Sequence, residues 1–180
     1  MTSVVLVEGV SDRIALEALA SRRGRDLRAE GVAVVPIGGA QAIGGFLSRF
    51  GGDVRVGGLC DAGEEREFRR ALERAGAGAP RTRAELEDLG FYVCDADLED
   101  ELIRALGAAR VEEVVAAHGD LRPFRTLQKQ PEWRGRPPAE QLRRFMGSGG
   151  RRKTRYARYL VEALDLDRVP HPLDAVLARA

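Results

Sequence analysis

The run Val4-Val5-Leu6-Val7 ends on Glu8-Gly9, and Ser11 and Asp12 follow at the start of a helix-forming segment. Apolar residues without alternation describe a strand covered on both faces. Glu8 then stands at the C-terminal tip of that strand, and Asp12 in the first turn of the next helix. Open α/β sheets bind ligands at this edge. The pattern recurs: Val32–Ile37 ends at Gly38-Gly39, Val54–Cys60 ends at Asp61, and Phe91–Cys94 runs into Asp95. Helical segments fall between these runs. One is N-capped by Ser11 and reaches about Arg23, one passes through Phe46 and Leu47, and one covers Glu64–Arg74. A short fourth helix spans Thr82–Leu89, where Thr82 and Glu85 have the spacing of a capping box. Alternating strands and helices predict a parallel sheet with helical crossovers.

After Asp97 the pattern turns wholly helical. Segments near 97–106, 110–118, 121–130, 138–146, 152–165 and 172–179 are separated by glycines and prolines. The expected organisation is an α/β core over residues 1–100 and a helical extension over 101–180, packed as one domain. A length of 180 residues with 44% hydrophobic content is enough for one sizeable core. The net charge of +1 conceals a separation. Asp95, Asp97, Glu99, Asp100 and Glu101 cluster together, while residues 121–158 hold twelve Arg or Lys against Glu132 and Glu140.

Other classes are disfavoured. No apolar run is long enough to span a bilayer, and no signal-like segment follows Met1. Cys60 and Cys94 form no CxxC pair and read as small buried hydrophobes in a reduced cytoplasm. His118 and His171 are isolated, which argues against a zinc site or a histidine-based triad. No GxGxxG follows the first strand. Trp133 and Phe145 are assigned to the core, and Asp100 and Glu101 to a solvated face.

The segment Val7-Glu8-Gly9-Val10-Ser11-Asp12 resembles the Toprim domain, and Cys60-Asp61-Ala62-Gly63 is similar to that family's DxD position. Gly63 stands where the second acid belongs. Asp95-Ala96-Asp97-Leu98-Glu99 with Leu102, and then Arg152-Lys153-Thr154-Arg155, resembles the Toprim nuclease half of OLD (overcoming lysogenization defect) proteins. The resemblance covers nearly the whole chain. It implies a Toprim, Rossmann-like parallel sheet flanked by helices. It also implies a nuclease that hydrolyses DNA phosphodiester bonds with Mg²⁺ or Mn²⁺. The family's division of ligands places Glu8, Asp12 and Asp61 at one ion and Asp97 and Glu99 at or near a second. It gives Lys153 the role of stabilising charge on the scissile phosphate. Asp95 occupies a place where a small hydroxyl residue is expected, and counts as an extra ligand. OLD proteins usually carry an ATPase domain ahead of this half. No P-loop of the form GxxxxGK[ST] occurs, so the resemblance implies a stand-alone version or part of a split system with a separate ATPase partner.

The residues support the same chemistry without the name. Hard divalent cations take oxygen ligands. Two of them about 4 Å apart activate a water and stabilise the leaving oxygen in phosphodiester cleavage. Glu64 or Glu65 is the candidate to replace the acid missing at Gly63. Lys153 is one of only two lysines, with Lys129, among 29 Lys plus Arg, which suggests a need for a compact ammonium. The bland alternative is a solvated basic helix start. Arg143, Arg144, Arg151, Arg152, Arg155 and Arg158 surround Gly147-Ser148-Gly149-Gly150 and are suited to holding a phosphate backbone, with Arg144, Arg151, Arg152 and Arg155 the leading candidates, against the alternative of an ordinary charged helix surface. Three functions follow: a DNA nuclease, a degenerate Toprim module that binds nucleic acid or an ATPase without cutting, and a small RNA-processing ribonuclease. The residues leave the choice among them, and the oligomeric state, open.

Overall fold

Strands β1 (Ser3–Val7), β2 (Val32–Pro36), β3 (Arg55–Asp61) and β4 (Phe91–Cys94) form one parallel sheet in the order β2-β1-β3-β4. The structure, a computed structural model, describes residues 2–50 and 53–180. Helices α1 (Val10–Arg22), α2 (Ile43–Leu47), α3 (Glu65–Arg74) and α4 (Arg83–Asp88) connect the strands, with a 3-10 turn at Ala40–Ala42. Helices α5 (Leu98–Leu106), α6 (Ala108–Ala117), α7 (Leu121–Lys129), α8 (Pro138–Gly147), α9 (Gly150–Ala163) and α10 (His171–Arg179) complete the fold.

The unbroken apolar strands are explained by their surroundings. Val4, Leu6, Cys60, Phe91 and Val93 face one core with α2, α3 and α4. Val5, Val7, Leu59, Tyr92 and Cys94 face a second core that continues into α1 and α5–α10. Every residue of β1 is therefore buried. Cys60 and Cys94 are buried free thiols, and burial pushes both well above the usual thiol range. Among the described residues, no helix is long and apolar enough to cross a membrane.

Local capping departs from expectation at α1. Gly9, not Ser11, is the N-cap, and Asp12 Oδ2 accepts from the Gly9 amide at 2.7 Å. A carboxylate three residues on can reach back to the cap amide, whereas Ser11 is already inside the first turn. Thr82 caps α4 as expected, with its hydroxyl accepting from the Glu85 amide at 3.2 Å.

Two interhelical features position the site. Helix α9 packs along α1. Arg22, in the last turn of α1, donates to the carbonyls of Val161 and Leu164 at 2.7 Å each, satisfying acceptors at the C-terminal end of α9.

The middle of β3 has no room for a side chain. A Cβ on Gly58 would lie 2.8 Å from both the Leu6 carbonyl oxygen and the Phe91 ring. Gly58→Ala is expected to cost about 1–3 kcal/mol through overpacking. Urea unfolding measures it, and an unchanged midpoint would show that the sheet yields there without cost.

Candidate functional site

Glu8 follows β1 directly, and three backbone contacts hold it. Its Oε1 accepts from the Asp61 amide at 2.8 Å, which ties the tips of β1 and β3 together. Its carbonyl accepts from the amides of Gly38 and Gly39 at 3.1 and 3.2 Å. Both glycines have positive φ, 77° and 118°, which lets the chain after β2 wrap around that oxygen.

Asp12 and Asp61 stand beside it, and the carboxyl groups act on one another. The Asp61 carboxyl is pushed up to about 8, by burial first and then by the charges of Glu8, Asp12 and Asp97. Burial raises Glu8, the Asp61 amide opposes it, and Asp12 and Glu64 push it further up. Burial also raises Asp12, despite the Gly9 amide. Glu8, Asp12 and Asp61, gathered from two chain segments, are thus held at the carboxyl edge of the sheet, where burial and neighbouring charge resist their ionisation.

Asp97 and Glu99 come from the start of α5. Asp97 is the N-cap, its Oδ1 accepting from the Asp100 amide at 2.8 Å. Its Oδ2 accepts from Arg143 Nε at 2.8 Å and lies 2.7 Å from the same guanidinium's terminal nitrogen. Glu99 is 4% exposed. One of its oxygens, Oε2, lies 3.3 Å from Lys153 Nζ, and the other, Oε1, is buried without a partner. Burial raises the Glu99 carboxyl and Lys153 opposes that rise. For Lys153, desolvation acts downward, but Glu99, Asp12 and Asp61 outweigh it and hold the ammonium charged. The lysine of α9 therefore contacts Glu99, and its charge also acts on Glu8, Asp12 and Asp61.

The structure brings together Glu8, Asp12, Asp61, Asp97, Glu99 and Lys153. It does not bring Asp95. That side chain is exposed and paired with Arg83 at 2.7 Å and Arg104 at 3.5 Å. Glu101, expected on a solvated face, is instead buried at 6% exposure, accepting from the Asp95 amide and pairing with Arg104, both at 2.8 Å. Glu65 is bound by Arg69 and Arg83, whereas the charge of Glu64 acts on Glu8. A Cβ at Gly63 would meet nothing within 4 Å, so the position of the missing acid is open space. Among the described residues, no three Asp, Glu, His or Cys side chains lie close enough together to hold a metal ion.

The basic residues divide as well. Arg152 is a clamp for the glycine-rich loop: its guanidinium donates to the Ser148 hydroxyl at 2.8 Å and lies 4.1 Å from the centroid of the Phe145 ring. Arg155 approaches Asp120 at 3.4 Å. Arg144 and Arg151 are exposed, and neither forms an ion pair among the described residues. Sequence reasoning had no means to pair Arg143 with Asp97, since no local spacing relates α8 to α5.

A four-stranded parallel sheet with carboxylates at adjacent strand tips and helices on both faces defines an open α/β domain with an acidic carboxyl edge. Residues 2–52 match the family model described as the Overcoming lysogenization defect protein-like TOPRIM domain. The fold is similar to the C-terminal region of the OLD protein of Xanthomonas campestris pv. campestris, with a TM-score of 0.74 and 22% identity over 98% of this chain and 90% of that one. It is also similar to the C-terminal region of the Burkholderia pseudomallei OLD protein, with a TM-score of 0.69 and 18% identity over 99% and 96% of the two chains. No curated protein matches. The chain thus has the fold of the C-terminal region of OLD proteins, and its first 50 or so residues are similar to the TOPRIM domain of that family.

Proposed function

We propose that this protein is a divalent-metal-dependent nuclease that hydrolyses phosphodiester bonds of DNA. The observation that carries the reading is one arrangement. Glu8, Asp12 and Asp61 crowd the sheet edge with raised carboxyl groups, and Lys153 joins them to a buried Glu99 that has one oxygen without a partner. Such crowding is costly unless positive charge enters.

The donor set is all hard oxygen, which fits Mg²⁺ or Mn²⁺. Glu8, Asp12 and Asp61 would hold one ion, and Asp97 and Glu99 a second, with Glu64 standing in for the acid absent at Gly63. Bound there, the ions supply a water nucleophile at neutral pH and stabilise charge on the leaving oxygen. Asp95 is left out, because Arg83 and Arg104 hold it. The remaining roles belong to the chain itself. Lys153 offers a charged ammonium beside the acids for the phosphate that is cut. Arg144 and Arg151 are exposed for backbone phosphates. The Asp61 amide fixes the orientation of Glu8.

Plasmid nicking with Mg²⁺ or Mn²⁺ tests this. Glu8→Ala and Lys153→Ala are each expected to lower the rate at least a hundredfold, as for removal of one stabilising group in a preorganised site. Equal nicking by wild type and both variants would identify a contaminant and end the assignment.

A second reading rests on Gly63 and on the absence of a closed ligand set among the described residues. In it, the domain binds nucleic acid or a separate cytoplasmic ATPase without cutting. Calorimetry that detects no divalent binding in the millimolar range favours it. Cleavage of RNA in preference to DNA favours the ribonuclease reading.

A further inference from the structure

Trp133 departs from the core position expected of it. Phe145 is 1% exposed, but Trp133 only leans on the core and lines an open cleft of about 510 Å³. The other walls are Asp97, Glu140, Arg143, Arg144 and Gly147. The volume is in the range of small-molecule sites, about 300–1,000 Å³. Because Asp97 lines it, the cleft opens beside the acid group.

The backbone of Trp133 is held in place from behind: its main-chain amide donates to the Gln130 carbonyl at 3.0 Å, and its main-chain carbonyl accepts from Gln141 Nε2 at 2.8 Å. Gln141 is 5% exposed and accepts in turn from Gln128 at 2.7 Å. The guanidinium carbons of Arg136 and Arg144 lie over the ring, 5.1 and 5.8 Å from its centroid. Both acids of the cleft are already engaged: Glu140 lies 3.5 Å from Arg136, and Asp97 is bound by Arg143. Arg144 forms no ion pair among the described residues.

We infer that this cleft seats an unpaired nucleobase of the bound DNA strand, stacked on Trp133, with Arg144 holding a flanking phosphate. The inference rests on the nuclease reading above and extends it to the form of the substrate. An aromatic ring flanked by arginines is the platform used for single strands, because every base has a π-face, and a base that stacks on Trp133 takes the place of one of these exposed guanidinium groups. A base inside a duplex has both faces covered by its neighbours. The base that reaches Trp133 is therefore one that is frayed, flipped or single-stranded.

Trp133 is the sole tryptophan, so its fluorescence reports on this cleft alone. The experiment is a titration in EDTA with an eight-nucleotide single-stranded DNA of mixed sequence, alongside the same backbone with every base removed. The base-bearing strand is expected to quench saturably, and the abasic strand to leave the emission unchanged. By anisotropy of the labelled strand, Trp133→Ala is expected to weaken binding about tenfold, and Trp133→Phe, which keeps a ring, less than threefold. Equal quenching by the two strands, no quenching by either, or unchanged affinity in Trp133→Ala overturns the stacking site. The titration involves no cation and no cleavage. Quenching without metal-dependent nicking therefore overturns the nuclease reading and leaves the cleft, and nicking without quenching does the reverse.

Discussion

In cation-free protein the thermal midpoint is expected to fall by about 5–10 °C between pH 5 and pH 8. Asp61 is the main cause. Its carboxyl sits at about 8 in the folded protein, against an ordinary value of 3.8. The folded state thus keeps a proton that the unfolded chain releases. The resulting stability is complete below the ordinary value and is lost as the pH rises through about 8. Glu8, Asp12 and Glu99 are raised in the same direction. One pKa unit is about 1.4 kcal/mol, and the partial exposure of Asp61 reduces the total to about 2–3 kcal/mol. Calorimetry in EDTA at the two pH values reads the fall. Asp61→Asn should flatten it, and millimolar Mn²⁺ should abolish it, because a bound cation favours the ionised acids. A midpoint that climbs from pH 5 to pH 8 without cation would contradict the picture of crowded carboxyl groups.

The second large effect concerns Lys153 and Glu99. Removing the lysine leaves a side chain that is 5% exposed with neither oxygen partnered among the described residues. Lys153→Ala is expected to cost about 1–3 kcal/mol, below the 3–5 kcal/mol of a fully buried pair, because the lysine itself is 40% exposed. Glu99→Gln combined with Lys153→Met removes both charges at similar volume, and most of the stability should return. Urea denaturation of the two proteins makes the comparison. If the double variant is no more stable than Lys153→Ala, the loss comes from packing and not from a stranded carboxylate. The double variant should also be inactive in nicking, which separates folding from chemistry.

Much of the sheet was legible because burial on two faces leaves a local signature. The four apolar runs became four parallel strands, with ends shifted by a residue or so. Glycines and prolines marked the helix ends of the last third for a similar reason, since their backbone limits act locally. The sheet-edge acids were legible because their places follow from the strand tips. What sequence could not show were partners chosen by tertiary packing. Asp95 is next to β4 in sequence but turns toward Arg83 and Arg104. Arg152, counted among phosphate binders, is occupied by Ser148 and Phe145. Trp133 carried no mark that separated a core ring from a cleft wall. Glu64 and Glu65 are adjacent and chemically equal, and only the position of Arg69 and Arg83 divides their roles.

The contact of Arg22 with the end of α9 gives the acid centre a remote handle. Helix α9 carries Lys153 at its beginning and is fastened to α1 through Val161 and Leu164 at its far end. Asp12 lies on that same α1, in its first turn. The lysine and one of the acids it serves are thus mounted on two struts joined at their distal ends. Arg22→Ala is expected to loosen that joint and let the ammonium drift from the carboxylates without touching either. By reciprocity, a cation bound between the acids would tighten the joint and stiffen the whole α1–α9 pair.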